Sequence, residues 1–387
     1  MSKKGIFVIG LLLILLAAVA QYTFDLVGVG AHDLRMENTG LYVSYSLDTS
    51  PSFHSNNSRF YFFTTRTGIR YVSSGGENRW QEPFNLARPH MVTRGDVVAI
   101  GEDGGQVIRV FNAGGIMNTV HLDYPVLGFS VNANGNLAVI MGVDGGYHVH
   151  GFERDNSTSP FFRLHINHRE SPMRFPVAVE ISDDGSYVAV AYLNIYRQLI
   201  TEVQFYTGQQ TRFGTEALFA GDDFPGETFI AMRFMTGNRL LLITDSQITM
   251  QRIDGNSLSE EWSIPLYNRI DQLAFCGNNR FAFVSGAASN PDGRDADPVG
   301  TVNMFDINGL TGRFYLGRRA THLSMGHGAV IVGADRYFRA VNLRGTSLWQ
   351  HTALHDVRDM IFLDNTNTVL IAGVNRAYVW RRQRTRD

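Results

Sequence analysis

One two-strand unit recurs along most of this chain and limits what it can fold into. In each copy, a short apolar strand is followed by a turn rich in Gly, Asn and Asp, and then by a second, more hydrophobic strand. The copies are Met91–Ile100, Gly128–Ile140, Val179–Val190, Met232–Ile243, Leu273–Val284, Leu323–Val332 and Met360–Ile371. Because self-similarity at a regular period is the signature of repeat folds, the chain is predicted to be built from repeated antiparallel units.

The spacing of these units fits the blades of a β-propeller. The second strands start at residues 59, 97, 137, 187, 240, 281, 329 and 368, which makes eight units spaced 38 to 53 residues apart. A four-stranded blade takes about 40 to 50 residues. An alternating third strand and an outer fourth strand follow the hairpin, as in Gly68–Trp80 and Phe338–Trp349. After Ala20 no convincing helical period appears. The sequence therefore predicts an all-β fold, a propeller of eight blades.

The two ends of the chain decide how such a ring closes. Leu41–Leu47 is predicted to pair with Phe60–Thr64 across a longer turn, whereas the last repeat ends after Ala377–Arg382 without an obvious fourth strand. We expect residues upstream of Leu41 to supply that strand, or the edge to stay open. If Leu41–Leu47 is itself the closing strand, the number of blades falls to seven.

The N-terminus carries an apolar run that predicts contact with a membrane. Lys3 and Lys4 precede Ile6–Ala20, and a count continued through Phe24 reaches the roughly 20 residues of a membrane-spanning helix. We expect one hydrophobic helix in residues 1–24 with its membrane contact at 5–24, a linker or closing segment in 25–40, and the propeller in 41–387. The positive-inside rule places the propeller outside the cell membrane. Ala18-Val19-Ala20 also fits a signal-peptidase site, so secretion is the alternative.

Charge and cysteine content exclude several classes of function. The net charge of −2 is spread along the chain, apart from a short arginine-rich C-terminus, so we expect no nucleic-acid partner. Cys276 is the only cysteine, which excludes an intrachain disulfide and a thiolate metal site. It lies in an apolar strand-like run and is interpreted as a buried hydrophobic residue.

The loop Asn290–Pro298 is the most distinctive polar segment. It places Asp292, Asp295 and Asp297 close together in an insertion between two strands. Calcium favours oxygen-rich loops of this kind, so these three residues are the candidate metal ligands and Ca²⁺ is the candidate ion. The Glu that would close an EF-hand loop is absent, and such clusters are also ordinary turns. Beyond this ion, no cofactor is expected.

Two further polar sets have both a functional and a structural interpretation. His148 and His150 share one face of a predicted strand, and His165 and His168 follow in the next. Zinc needs three or four close ligands, and no carboxylate or cysteine pattern completes such a set, so the sequence favours cross-strand surface packing. Near strand ends lie several aspartates that could converge on the central channel or cap turns. These aspartates are Asp103, Asp144, Asp183, Asp184 and Asp245.

No nucleophile elbow, phosphate-binding loop or His-Glu-x-x-His pair is present in the sequence. The sequence therefore favours a binding or scaffold module for a protein or cell-envelope partner over an enzyme. The catalytic residues of propeller enzymes are often scattered, however. A hydrolase or oxidoreductase with its site at the mouth of the central channel thus stays the alternative, with no catalytic residue assigned.

Short motifs in the repeats resemble those of known propellers. Gly76-Glu-Asn-Arg-Trp80 and Gly345-Thr-Ser-Leu-Trp349 resemble the tryptophan-docking repeats of quinoprotein-like propellers, and Ile181–Val190 is similar to a hairpin of WD40-type propellers. Taken with the basic start and the single apolar span, the chain resembles an uncharacterised family of membrane-anchored propellers from Gram-positive bacteria. That resemblance implies the fold and the anchor, and transfers no activity or site residue.

Overall fold

The structure, a computed structural model, describes residues 36–45, 51–55, 59–170, 173–207, 218–289 and 296–382. In these ranges every regular element is a β-strand, and the strands form four-stranded antiparallel sheets, eight in all. The predicted all-β propeller with eight blades is confirmed. The predicted N-terminal helix, residues 1–24, lies outside the described residues. Within them, no helix has the length and apolar character needed to cross a bilayer.

The first four blades follow one another along the chain, and the first strands of neighbouring blades lie side by side around the centre. Blade 1 is β2 (Ser52–His54), β3 (Phe60–Thr65), β4 (Gly68–Ser73) and β5 (Asn78–Pro83); blade 2 is β6 (Pro89–Arg94), β7 (Val97–Glu102), β8 (Val107–Asn112) and β9 (Gly115–His121); blade 3 is β10 (Val126–Val131), β11 (Leu137–Val143), β12 (Gly146–Phe152) and β13 (Phe162–Asn167); blade 4 is β14 (Arg174–Ile181), β15 (Tyr187–Asn194), β16 (Ile200–Thr207) and β17 (Leu218–Pro225).

The second half repeats this plan, except that the outermost strand of blade 8 comes from the N-terminal end. Blade 5 is β18 (Phe229–Met235), β19 (Arg239–Thr244), β20 (Gln247–Asp254) and β21 (Ser257–Pro265); blade 6 is β22 (Asn268–Cys276), β23 (Arg280–Ala288), β24 (Thr301–Asp306) and β25 (Gly309–Tyr315); blade 7 is β26 (His322–Gly326), β27 (Ala329–Ala334), β28 (Tyr337–Asn342) and β29 (Ser347–Thr352); blade 8 is β30 (Asp359–Phe362), β31 (Thr368–Ala372), β32 (Arg376–Arg382) and β1 (Met36–Ser44).

The second strand of each blade is the most deeply buried. All six residues of Ala329–Ala334 and all five of Thr368–Ala372 are buried, because these strands pack on both faces against neighbouring blades. Such strands consist of continuous apolar runs, which is why their starts in the structure agree with the predicted starts to within one residue.

Strand β1 closes the ring by pairing antiparallel with β32, from Met36 opposite Arg382 to Ser44 opposite Arg376. The predicted pairing of Leu41–Leu47 with Phe60–Thr64 is wrong. Ser52–His54 occupies that place instead, so the ring has a closing strand from the N-terminus and still eight blades. Ser52–His54 is too short to show an alternating pattern. The alternating pattern around Leu41 suits both the innermost strand of blade 1 and the outermost strand of blade 8.

Apolar side chains fill the seams between the blades. The seam that joins the two ends of the chain is an example, because Phe53 and Phe63 of blade 1 belong to one buried cluster with Leu370 and Val379 of blade 8. Corresponding clusters fill the other seams. The core is therefore a ring of shared interfaces, and each blade depends on both of its neighbours.

Tryptophans on outer strands fasten one blade to the next. The indole Nε1 of Trp80 donates to the carbonyl of Ala113 in blade 2, at 3.0 Å. The indole Nε1 of Trp262 donates to the carbonyl of Ile307 in blade 6 at 3.0 Å, and that of Trp349 donates to the carbonyl of Thr366 in blade 8 at 2.7 Å. Two of these three follow the Gly-x-x-x-Trp motif.

Gly345 shows why the Gly-x-x-x-Trp motif begins with glycine. Its φ is +85°, and a Cβ there would lie 2.1 Å from the carbonyl oxygen of Arg313 in the neighbouring blade. Only glycine accommodates this approach without displacing backbone. The motif thus combines a tight turn with a docked indole.

Candidate functional site

The antiparallel strand order gives the ring two different faces. We call one the connecting face. It carries the links from each fourth strand to the next blade, together with the turns between second and third strands. The opposite one, the hairpin face, carries the turns between first and second strands and between third and fourth strands. The loop Asn290–Pro298 belongs to the connecting face.

Most of the exposed large apolar side chains in the described residues lie on the connecting face. They are Tyr124, Leu127, Met173, Ile195, Tyr196, Ile230, Tyr267, Val299, Tyr315, Leu354 and Val374. The hairpin face has Ile116, Leu218 and Leu310. Exposed apolar area gathered on one side of a folded protein is typical of interaction surfaces. Individual exposed residues gave no such signal in the sequence, because their shared face follows from the strand directions.

A groove of about 800 Å³ crosses the connecting face between blades 7 and 8. Leu354, which is 80% exposed, and Val374 are among its apolar lining residues, with Tyr378 and Trp380. Charged residues are part of the same lining, including the ion pair of Arg336 and Asp356 at 2.9 Å. Apolar residues beside a small number of polar groups are the usual make-up of a binding groove.

Charged side chains from several blades meet at the hairpin end of the central channel. Arg94, at the end of β6, is 2% exposed. Its Nε lies 3.2 Å from Oδ1 of Asp183, its Nη1 lies 3.8 Å from Oε2 of Glu180, and its Nη2 donates to the carbonyl of Phe234. Asn278 of blade 6 donates to the other oxygen of Asp183. The channel cluster, as we call these residues, links blades 2, 4, 5 and 6.

A second arginine extends the channel cluster. Nη2 of Arg233 donates to the carbonyl of Thr93 at 3.3 Å, and its guanidinium lies 4.6 Å from the ring centre of Phe275. Burial, together with the charge of Arg94, lowers the pKa of Arg233 to about 10. Burial also raises the pKa of Glu180, against the opposing attraction of Arg94.

The charges of the channel cluster are directed at one another and at backbone carbonyls. The cluster holds two arginines and two carboxylates, and each arginine bonds to a blade that is not its neighbour. Arg94 of blade 2 bonds to blades 4 and 5, and Arg233 of blade 5 bonds to blade 2. A cavity of about 370 Å³ lies beside them, lined in part by His54, Ser324 and Asp359. The Nε2 of His54 is 3.1 Å from the carbonyl of Gly95. This arrangement suits a plug that ties blades together across the channel.

Only part of the predicted calcium loop can be located. Asp292 and Asp295 lie outside the described residues. Asp297 is described, and its Oδ2 accepts from Ser285 at 3.1 Å and from Asn303 at 3.0 Å. Its Oδ1 lies 3.7 Å from Arg313. Calcium binding by this loop stays a prediction, and Asp297 has a second role in anchoring the base of the loop.

The aspartates near strand ends do not converge on the channel, with the exception of Asp183. Asp184 accepts from Ser182 and from the backbone of Ser186 in its own turn. Asp245 accepts from the backbone of Thr228 at 2.9 Å. The contacts of Asp184 cap its own turn, which is the structural alternative expected from the sequence. Asp245 instead ties the turn between β19 and β20 to the link between blades 4 and 5. Asp183 was detectable as a candidate, whereas Arg94 and Arg233 resembled ordinary strand residues.

The structure brings three of the four histidines of blade 3 together on one face of the sheet. His148 and His165 lie directly opposite each other on β12 and β13, and their ring centres are 4.1 Å apart. His150 lies on the same face as His148, with ring centres 5.6 Å apart. His168 is directed elsewhere and packs edge-on against Tyr147 at 5.0 Å.

The fold and the shared interfaces define the class of this protein as a β-propeller. The crystal structure of the C-terminal WD40 domain of Sif2 is similar, with a TM-score of 0.59, 12% identity, and coverage of 91% of this chain and 100% of that one. BamB from Moraxella catarrhalis is also similar, with a TM-score of 0.50, 12% identity, and coverage of 90% and 100%. At this identity the likeness shows the fold alone.

The chain belongs to the DUF5711 family, a family of unknown function, whose model matches residues 52–379. The match begins at the first inner strand, β2, and ends within β32. No curated protein matches the sequence. Membership of an uncharacterised family and the WD40-like propeller fold, both expected from the sequence, are thereby confirmed. The membrane anchor and the Gram-positive origin that the resemblance implied stay predictions, and the activity has to be inferred from the surface itself.

Proposed function

We propose that this protein is a binding propeller, whose connecting face docks a partner protein of the cell envelope. The observation that carries the proposal is the gathering of exposed apolar side chains on that face. They come from the links, turns and adjoining strand ends of blades 2 to 8. A specific protein interface takes about 20–30 residues from each partner, so a docked protein would contact several of these blades.

The groove between blades 7 and 8 is the proposed centre of the docking surface. Leu354 projects from the link between the two blades. In the same groove the ring centres of Trp380 and His351 are 4.9 Å apart. Aromatic and aliphatic anchors in a concave site carry most of the affinity of protein interfaces. Arg336 and Asp356 at the rim supply the polar contacts that orient a partner.

The proposal includes a location outside the cell membrane, held by residues 5–24. Its support is the apolar run after Lys3 and Lys4, which the positive-inside rule orients. A face that docks an envelope protein then acts at the membrane surface. Proteolysis of intact cells tests the location, because an external propeller is cut by added protease and an internal one is protected.

The alternative function, an enzyme with its site at the channel, is favoured by the raised pKa of Glu180 and by the cavity that Arg233 of the same cluster lines. Burial inside a structural ion-pair network is enough to raise a carboxyl pKa, and here Glu180 is held by Arg94 and accepts from the backbone amide of Phe234 at 3.4 Å. The channel cluster is therefore interpreted as structural, and the connecting face as functional.

Site-specific photo-crosslinking in the producing cells tests the docking face. A photoreactive amino acid replaces Leu354 on the connecting face or Leu310 on the hairpin face, the two being 80% and 43% exposed. We expect a discrete crosslinked species from position 354 and none from position 310. The matched variant Leu354→Asp should reduce crosslinking from a second position on the face, Val374, because a charge in an apolar interface costs binding energy.

Crosslinks of equal yield from both positions, or from position 310 alone, would contradict the proposal. If Leu354→Asp leaves the yield at Val374 unchanged, the groove is not the centre of the interface. The protease test is independent of both results, so that a wrong location and a wrong docking face can be distinguished.

A further inference from the structure

We propose that His148, His150 and His165 form a binding site for a divalent transition-metal ion, of which Zn²⁺ is the best candidate. The three side chains form a separate feature from the docking face and from the channel cluster. Their ligand nitrogens all lie within 4.8 Å of one another. We call these residues the histidine triad.

The register of blade 3 produces the triad. His148 and His150 are two residues apart on β12, so their side chains point to the same face of the sheet. His165 on β13 is directly opposite His148. The intervening Val149 packs on the other face, in the cluster shared with blade 4. The triad therefore faces the seam with blade 2, and Phe152 continues the same row into the core of that seam.

The imidazoles have unused ligand atoms. Nδ1 of His148 and Nε2 of His150 are buried and have no hydrogen-bond partner among the described residues. A buried ring nitrogen without a partner has lost its contact with water, so each of these two atoms lacks a partner that a ligand would supply. A metal ion would satisfy both at once.

Charged groups of both signs lie near the triad. Arg163 is directly opposite His150 on β13, and both Arg163 and Asp123 are close enough to act electrostatically on His150. The form of histidine that binds Zn²⁺ is the neutral imidazole, in which one ring nitrogen keeps its lone pair.

The geometry suits a small tetrahedral ion. Two nitrogens on one Zn²⁺, each about 2.0–2.1 Å from the metal, are about 3.3 Å apart. Closing the triad to that spacing takes ring movements on the order of 1 Å, which side-chain torsions supply. His165 is exposed, so solvent reaches the site and can fill the fourth position. An all-nitrogen donor set favours Zn²⁺, Cu²⁺ or Ni²⁺ over Ca²⁺ or Mg²⁺.

The test uses the full chain without a polyhistidine tag, stripped with a chelator. Zn²⁺ is titrated by calorimetry, and Co²⁺ is titrated by visible absorption, which reports tetrahedral coordination. We expect one ion per chain and no binding of Mg²⁺. His165→Gln should weaken Zn²⁺ binding at least tenfold, because it removes one of three ligands from an exposed position where folding is undisturbed.

His168→Gln is the matched control, because it removes a histidine from the same blade that lies outside the triad. It should leave the affinity unchanged. Thermal unfolding of both variants confirms that each is folded, and His148→Gln provides a second variant within the triad. The proposal is overturned if the native chain binds no Zn²⁺, if His165→Gln and His148→Gln bind as well as the native chain, or if His168→Gln loses binding equally.

Discussion

Replacing Arg94 by methionine should destabilise the whole ring, although the change affects a single side chain in the channel. Arg94 is 2% exposed and bonds to Asp183, Glu180 and the carbonyl of Phe234. These partners belong to blades 4 and 5, whereas Arg94 belongs to blade 2. Methionine fills a similar volume and makes none of these bonds.

The size of the effect follows from what the substitution leaves behind. Removing one partner of a buried ion pair costs about 3–5 kcal/mol, because the other charge stays buried without compensation. The Glu180 and Asp183 side chains are 17% and 35% exposed, and solvent can screen them in part. We therefore expect Arg94→Met to lose about 3 kcal/mol of stability, the lower end of that range. With about 2.1 cal/mol/K of unfolding entropy per residue, this lowers the Tm of a domain of this size by about 4 °C.

Differential scanning calorimetry of three variants measures the effect. Arg94→Met should show the full drop in Tm. Arg94→Lys should show an intermediate drop, since lysine keeps the charge but lacks the planar guanidinium group. Arg344→Met should show almost no drop. Arg344 is an exposed arginine and serves as the control. An Arg94→Met protein as stable as the native chain would refute the interpretation of the channel cluster as a structural plug.

Three further predictions concern other parts of the ring. A chain that begins at Pro51 lacks β1 and exposes the edge of β32, so it should aggregate or melt at lower temperature than a chain that begins at Asp25, as measured by light scattering and calorimetry. Trp349→Phe leaves the carbonyl of Thr366 without its donor and should lower the free energy of unfolding by about 2 kcal/mol in denaturant titrations. Burial lowers the pKa of His54 below its ordinary 6.5, so its contribution to stability is present above about pH 6.5 and is lost as the pH falls. Between about pH 7 and about pH 5 the Tm of His54→Gln should therefore fall less than that of the native chain. An equal fall in both proteins would show that His54 does not cause the pH dependence.

The fold could be predicted because each blade repeats the same local pattern. Buried second strands such as Ala329–Ala334 and Thr368–Ala372 are continuous apolar runs, and their period fixes the number of blades. The closing strand was harder, because pairing Met36–Ser44 with Arg376–Arg382 joins opposite ends of the chain. No local pattern distinguishes an alternating strand in the last blade from one in the first.

The sites could be predicted only in part, because they depend on contacts between blades. Asp183 stood out as a polar residue in a hairpin turn, but its partner Arg94 is far away in the sequence. The histidines were visible as pairs, while their close approach depends on the register that sets His148 opposite His165. The gathering of apolar residues on one face was not visible at all, since it follows from strand direction rather than from any motif.

Hydrogen–deuterium exchange of the full chain, compared between its native membrane and the purified state, tests the central claim most directly. If the connecting face docks a partner, amides of the link that carries Leu354 and of the turn that carries Val374 exchange more slowly in the membrane. The hairpin-face turn that precedes Leu310 then exchanges at the same rate in both states. Equal exchange of both faces in the two states, or protection confined to the hairpin face, would contradict a binding propeller that works through its connecting face.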